Sequence, residues 1–184
     1  MSAPASWVPS PGRLPACGVD HGTVTGRVDE SARRLDHPEL AVAGRLVAAG
    51  HDVVTLPERG RRGPVADFLV CGQSVEVKCL LTTAERADGR RATAATVHNR
   101  LASAVDQAAT VVVSSEGSGC RAADAAAGFR SFVATAKIGR VGAVRVIGDG
   151  FDLAWSAVPV RQAGVGAGPS ETAHRRPDRG VGLA

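Results

Sequence analysis

The stretch Val65-Ala-Asp67-Phe-Leu-Val70-Cys-Gly-Gln-Ser74-Val-Glu76-Val-Lys78-Cys-Leu-Leu81 decides how this chain folds and what it carries. Two β-type runs, Val65 to Val70 and Ser74 to Leu81, flank a short turn containing Gly72, which is the pattern of a hairpin. Successive strand residues alternate between faces, so Phe68, Val70, Val75 and Val77 share a dry face while Asp67, Glu76 and Lys78 fall on the wet one. A turn centred near Gly72 and Gln73 brings Asp67 close to Lys78, with Glu76 one step along. Two carboxylates and one amine therefore converge. Neighbouring carboxylates repel unless a cation sits between them, and hard oxygen ligands favour Mg²⁺ or Mn²⁺. The expected ligands are Asp67, Glu76 and the carbonyl of Val77. A metal there would polarise a phosphate and generate hydroxide, with Lys78 orienting the water or neutralising charge on phosphorus.

An E-x-K pair alone equally marks a solvated strand with weak ion pairs, but its surroundings favour a site. Lys78 and Lys137 are the only lysines in a chain whose other basic residues are Arg. Arg59, Arg61 and Arg62 precede Asp67, and Arg86, Arg90 and Arg91 follow Lys78, a cationic frame suited to a phosphodiester backbone. Glu39, at the front of a helix just ahead of the hairpin, offers a third carboxylate.

Outward from the hairpin the periodicity alternates. Asp36-His-Pro-Glu starts a helix over about 38–49, in which Leu40, Ala43, Leu46 and Val47 recur until Gly50 stops it. Residues 52–56 read as a strand and 57–64 as a polar loop. Helical spacing over 97–109 is followed by a buried strand, Thr110-Val-Val-Val-Ser, then a helix from Ala122 to about Ile138 and late strands at 141–147 and 152–155. The order is αβββαβαββ, an α/β sheet with helices on its faces. His98, Asn99 and Arg100 are expected to open the second helix, where N-terminal amides favour anions.

Glu39-Leu-Ala-Val-Ala-Gly-Arg-Leu-Val-Ala-Ala-Gly-His-Asp-Val-Val, Val65-Ala-Asp67-Phe-Leu-Val and Val75-Glu76-Val-Lys78 together resemble the PD-(D/E)XK nuclease superfamily. Within it they are similar to the C-terminal nuclease domains of contact-dependent growth-inhibition toxins, some of which cleave tRNA. The resemblance implies a restriction-endonuclease-like α/β fold, a central mixed β-sheet flanked by helices with an αβββαβ core. It also implies a metal-dependent endonuclease acting on RNA, tRNA in particular, or on DNA, as neighbouring families do in restriction, repair and recombination. Glu39, Asp67, Glu76 and Lys78 take the catalytic positions, and Gln107 matches the polar residue of the next helix. Nucleic acid would lie against Arg59, Arg61, Arg62, Arg86, Arg90, Arg91 and Arg100, and an immunity or assembly protein is the implied partner. Two departures are Ala66, where Pro is frequent, and Cys79, where a small hydroxyl residue is frequent; neither removes a metal ligand. The alternative is a catalytically inactive nuclease-fold protein that binds nucleic acid or a protein.

The chain of 184 residues suits one domain, since single cores serve roughly 100–200 residues. Pro- and Gly-rich segments make 1–32 a flexible leader and 161–184 a flexible Gly/Pro/Arg tail around a nuclease-like domain at 33–160. Aromatics are 3% with no Tyr, so Ala, Val and Leu must supply the packing, an aromatic base-stacking platform is excluded, and Trp155 belongs to the core or sheet surface. Net charge is +4, which permits nucleic-acid binding without requiring it. Four cysteines without C-x-x-C spacing read as free thiols, and a structural zinc site is not expected. No apolar run approaches the ~20 residues of a membrane span, and the N-terminus lacks a secretory pattern, so a cytoplasmic location is expected. Met1 and the lack of a long delivery region make a free-standing defence or mobile-element nuclease nearly as natural an expectation as a toxin.

Overall fold

The computed structural model describes residues 5–10, 26–57, 66–135 and 141–159. The strands are β1 (Ala5–Ser10), β2 (Val28–Asp29), β3 (Val53–Thr55), β4 (Phe68–Val70), β5 (Gln73–Cys79), β6 (Thr110–Ser114), β7 (Ala143–Gly148) and β8 (Phe151–Pro159). The helices are α1 (His37–Ala48), α2 (Thr83–Ala87), α3 (Ala94–Ser103) and α4 (Ala122–Thr135). All eight strands join one sheet in the order β1-β8-β7-β6-β5-β4-β3-β2. β5, β6 and β7 run parallel, as do β2 and β3, and the remaining neighbours are antiparallel. The parallel pairs require crossovers, which α1, α2 with α3, and α4 supply. The class is α/β, a mixed sheet with helices on both faces.

Local chemistry fixes the ends of α1. Asp36 caps it by accepting from Glu39 N at 2.9 Å, and Glu39 returns the bond by accepting from Asp36 N at 3.0 Å. Gly50, at φ 86°, turns the chain out, with His51 N donating to Leu46 O at 3.0 Å and Gly50 N to Val47 O at 2.9 Å. Val42, Ala43 and Leu46 of α1 then cover Phe68, Val70, Val75 and Val77, the dry face expected of the hairpin. The opposite face packs on α3 and α4 through Val111, Val113, Val97, Leu101 and Phe132. Because that face is covered too, the expected wet side is not solvated, and Glu76 is only 2% exposed.

The hairpin closes one residue earlier than the sequence suggests. Its turn is Cys71 and Gly72, both at positive φ (49° and 79°), the two-residue loop whose twist matches its strands. Phe68 therefore faces Val75, and continuing that register sets Asp67 level with Glu76 rather than with Lys78. The leader expected at 1–32 contributes two strands: β1 pairs with β8 at the sheet edge, and β2 pairs with β3. Proline content misled because an edge strand tolerates missing donors. Trp7 of β1 meets Phe129 of α4 edge-on at 5.3 Å, and Trp155 of β8 stacks on the same ring at 4.0 Å. Three of the six aromatics thus form one ring cluster, while Phe68 packs on the other face under α1. Helix α3 runs three residues ahead of the expected start and ends at Ser103, and the short α2 was not anticipated. Cys71 is disulfide-bonded, against the expectation of free thiols, while Cys79 and Cys120 are free. Spacing along the chain carries no sign of a pairing made in space. Arg59, Arg61, Arg62, Lys137 and the 161–184 tail lie outside the described residues.

The crossing of α3 and α4 depends on one missing side chain. A Cβ on Gly128 would lie 2.5 Å from Ala94 O and 2.6 Å from the Val97 Cβ, whereas a Cβ on Gly44 of α1 would meet nothing within 4 Å. Gly128→Ala should therefore cost about 1–3 kcal/mol in urea unfolding. Gly44→Ala should add about 0.5–1 kcal/mol by helix propensity. Equal effects from the two identical substitutions would refute this helix packing.

Candidate functional site

The hairpin, the front of α1 and the end of α3 meet at one end of the sheet. Asp67, just ahead of β4, accepts from Val77 N of β5 through Oδ2 at 2.8 Å. Glu76 and Lys78 stand two residues apart on one face of β5, and the Lys78 Nζ donates to Glu76 Oε1. The same Nζ donates to Gln107 Oε1 at 3.1 Å. Gln107 lies in the turn after α3 rather than on it, held there by its Nε2 donating to Ser103 O at 2.8 Å. The sequence-predicted Asp67, Glu76, Lys78 and Gln107 are thus brought together.

Arg33 is the member that sequence reasoning missed. Its guanidinium grips Glu39 with two bonds, Nη1 to Oε2 at 2.5 Å and Nη2 to Oε1 at 2.7 Å, and reaches Asp67 Oδ1 from Nη2 at 3.1 Å. Its Nε donates to Leu56 O at 3.0 Å, which fixes it to the end of β3. Glu39 is consequently committed twice, to the cap of α1 and to Arg33, and it also lies against the Asp67 carboxyl directly. The one available signal was an Arg just ahead of a capping-box Glu, which has no pattern value on its own.

Crowding and burial govern the charges. Burial pushes the Asp67 carboxyl up to about 6; the Val77 N–H opposes this, the charges of Glu76 and Glu39 add to it, and Arg33 opposes. Burial likewise raises Glu76, with Lys78 pulling the other way. Glu39 is raised by burial, yet the bonds from Arg33 and Asp36 outweigh this and leave it below the ordinary carboxylate range. Glu76 Oε2 is buried with no hydrogen-bond partner among the described residues. Burial also pushes the Cys79 thiol up to about 11, which disfavours its thiolate form.

A cavity of about 550 Å³ opens beside this group, lined by Glu39, Val77, Lys78, Arg86 and Arg100 among others. Asp67 and Glu76 lie one contact further in, bonded to Val77 and Lys78 respectively. A second cavity of about 360 Å³ adjoins it across Leu81 and Arg100 and is lined by Arg90 and Arg91. The four described arginines of the expected nucleic-acid frame thus border these two cavities. Each already has an acceptor: Arg86 the Glu116 carbonyl, Arg90 the Glu85 carboxylate, Arg91 the Asp124 carboxylate and Arg100 the Leu80 carbonyl, with the Glu85 carboxylate also 3.9 Å from Arg100. Arg100 sits in the last turn of α3, not at its opening, so the helix N-terminus does not act through it. Among the described residues no group of three or more His, Cys, Asp or Glu is placed to hold a metal by side chains alone.

No protein-family model and no curated protein matches the chain. Among solved structures, a chain of one described as "CdiA-CT/CdiI toxin and immunity complex from Burkholderia pseudomallei" is similar at 21% identity. The match covers 66% of this chain and 91% of that one, with a TM-score of 0.35. Among the described residues no helix is long and apolar enough to cross a membrane.

The raised Asp67 sets a pH dependence of stability. The native protein takes up a proton at Asp67 near pH 6, the unfolded chain only near 3.8, so between these values the native state binds more protons. In protein kept metal-free by chelator, this contribution to stability is full below 3.8 and is lost as pH rises through about 6. Relative to Asp67→Asn, wild type should lose roughly 1–2 kcal/mol between pH 4 and pH 7 in urea titrations. Parallel pH profiles for the two proteins would contradict the assigned crowding.

Proposed function

We propose that this protein is a metal-dependent nuclease that hydrolyses phosphodiester bonds, built on a restriction-endonuclease-like core of α1, β3, β4, β5, α3 and β6. The observation that carries this reading is the Glu76 carboxylate. It is buried, one oxygen is taken by Lys78, the other has no partner among the described residues, and Asp67 stands level with it on the next strand. An unpaired buried carboxylate oxygen costs folding energy, and a bound cation returns it. Two hard carboxylates with the Val77 carbonyl suit Mg²⁺ or Mn²⁺, which when bound would polarise the phosphate and make a water more acidic.

The chain's own residues do the rest. Lys78 has two of its three ammonium N–H groups on Glu76 and Gln107, leaving the third for a water or phosphate oxygen in the cavity that it lines. Held at both ends, it supplies positive charge where negative charge grows on phosphorus, without reorganising. Arg86 and Arg100 give the wall of that cavity its cationic character, and Arg90 and Arg91 extend it into the adjoining cavity. The resemblance to toxin nucleases favours RNA, tRNA in particular, as substrate and an immunity protein as partner.

A second reading, a nuclease-fold protein that binds nucleic acid or a protein without cutting, draws on one observation: Arg33 and Lys78 already neutralise the carboxylates. Incubation of the purified protein with tRNA, single-stranded DNA and duplex DNA, in Mg²⁺, Mn²⁺ or EDTA, separates the two. Metal-dependent cleavage is expected, reduced about a hundredfold or more in Glu76→Ala and Lys78→Ala. Cleavage in EDTA, or cleavage undiminished in Glu76→Ala, would sink the mechanism. Salt-sensitive binding with no cleavage under any metal would establish the binder.

A further inference from the structure

We infer that Arg33 is a resident cation that holds the carboxylate site closed in the metal-free protein and competes with the divalent ion for Asp67. The inference rests on the nuclease reading above and names a residue that sets when the site is loaded.

Three observations carry it. First, the guanidinium spans two of the three carboxylates, with both oxygens of Glu39 and Oδ1 of Asp67 as its acceptors. Second, the Asp67 carboxylate has its other oxygen, Oδ2, on the Val77 amide of β5. The Val77 amide is fixed in place by the pairing of β5 with β6, so it holds Oδ2, and the oxygen that a cation can claim is the one now facing Arg33. Third, Glu76 Oε2, close enough for its charge to act on Asp67, is buried and has no partner among the described residues. Arg33 therefore covers the outer part of the carboxylate group and leaves an inner oxygen waiting.

The exchange is inexpensive for Arg33. Each of its five N–H donors has an acceptor: Nε on Leu56 O, Nη1 on Glu39 Oε2 and Arg34 O, and Nη2 on Glu39 Oε1 and Asp67 Oδ1. Releasing Asp67 costs only one of the five. Of the other four, three keep the guanidinium on Glu39 and the end of β3 and one stays on Arg34 O, ready to take Asp67 back when the ion leaves. A divalent ion and a guanidinium on adjacent oxygens also repel each other, which makes the two occupants alternatives. Glu39 thus acts as the anchor of Arg33, not as a ligand, and Arg33 is a positioning residue.

The test is calorimetric titration of Mn²⁺ alone into chelator-stripped protein, with Mn²⁺-dependent melting as a second readout. Arg33→Gln removes the charge and should bind Mn²⁺ about tenfold tighter than wild type, the scale of one lost charge-assisted hydrogen bond. Its melting temperature should be lower than wild type without metal and rise further with it. Arg33→Lys keeps the charge but cannot span both carboxylates, and should fall between the two. Asp67→Asn should weaken binding, and adding Arg33→Gln to it should gain far less than in wild type, because the carboxylate charge that the two cations contest is gone. Equal or weaker Mn²⁺ binding in Arg33→Gln than in wild type overturns the competition while leaving the Asp67 and Glu76 site standing. Absence of Mn²⁺ binding in both proteins overturns the metal reading and this inference together. If Arg33→Gln fails to fold, Arg33→Lys decides by the same criterion.

Discussion

Three carboxylates gathered at one end of a sheet repel one another, and the protein folds around the two cations that make their proximity tolerable. Arg33 spans Glu39 and Asp67, and Lys78 takes Glu76. In low-dielectric surroundings each unpaired charge would cost far more than a solvated one, so the pairing governs local geometry. It fixes the segment before α1 against the end of β3, since the guanidinium also holds Leu56 O and the Arg33 amide donates to Thr55 Oγ1 at 3.3 Å. The entry angle of α1 follows from the same contacts, because Glu39 is at once its capping-box residue and the anchor of Arg33. The compensation is incomplete at Glu76 Oε2, which is buried with no hydrogen-bond partner among the described residues.

The sheet makes that arrangement possible by being covered on both sides. β6, with all five residues buried, lies between α1 on one face and α3 with α4 on the other. Glu76 and Lys78, on the neighbouring β5, are consequently drawn out of solvent by the packing of hydrophobic residues around them. A chain with so few aromatics achieves this through close approach, with Gly128 letting α4 sit against Ala94 and Val97. Trp7, Phe129 and Trp155 pack together where the β1 edge is stitched onto β8. Burial at one end and cavity walls at the other thus come from the same central strands. Elsewhere on the sheet, the buried Arg145 of β7 makes two bonds to the exposed Asp152 of β8.

Much of this was legible in the residues because it depends on short-range rules. Period-two alternation placed Phe68, Val70, Val75 and Val77 on one face and Asp67, Glu76 and Lys78 on the other. Asp36, Pro38 and Gly50 marked the ends of α1, since caps act within a few residues. The αβββαβαββ order followed from alternating periods, apart from β1, β2 and the short α2. Legibility ended where partners are far apart in sequence. β1 carries Pro9 and a polar flank, and only the edge of β8 makes a strand of it. The hairpin register turned on Cys71 accepting a positive φ, which composition gives no reason to expect.

The sequence by itself determined which residue types could form a charged constellation, and in what order along the chain, because face and spacing are properties of a strand's backbone. The tertiary structure alone decided how those charges are balanced. Arg33 meets Asp67 across 34 residues, Lys78 meets Gln107 across 29, and Glu76 loses its water only when α3 and α4 close over the sheet. Such contacts are selected by the energy of the whole packed interior, where a charge must find a partner or be neutralised, and no local pattern encodes which partner it finds.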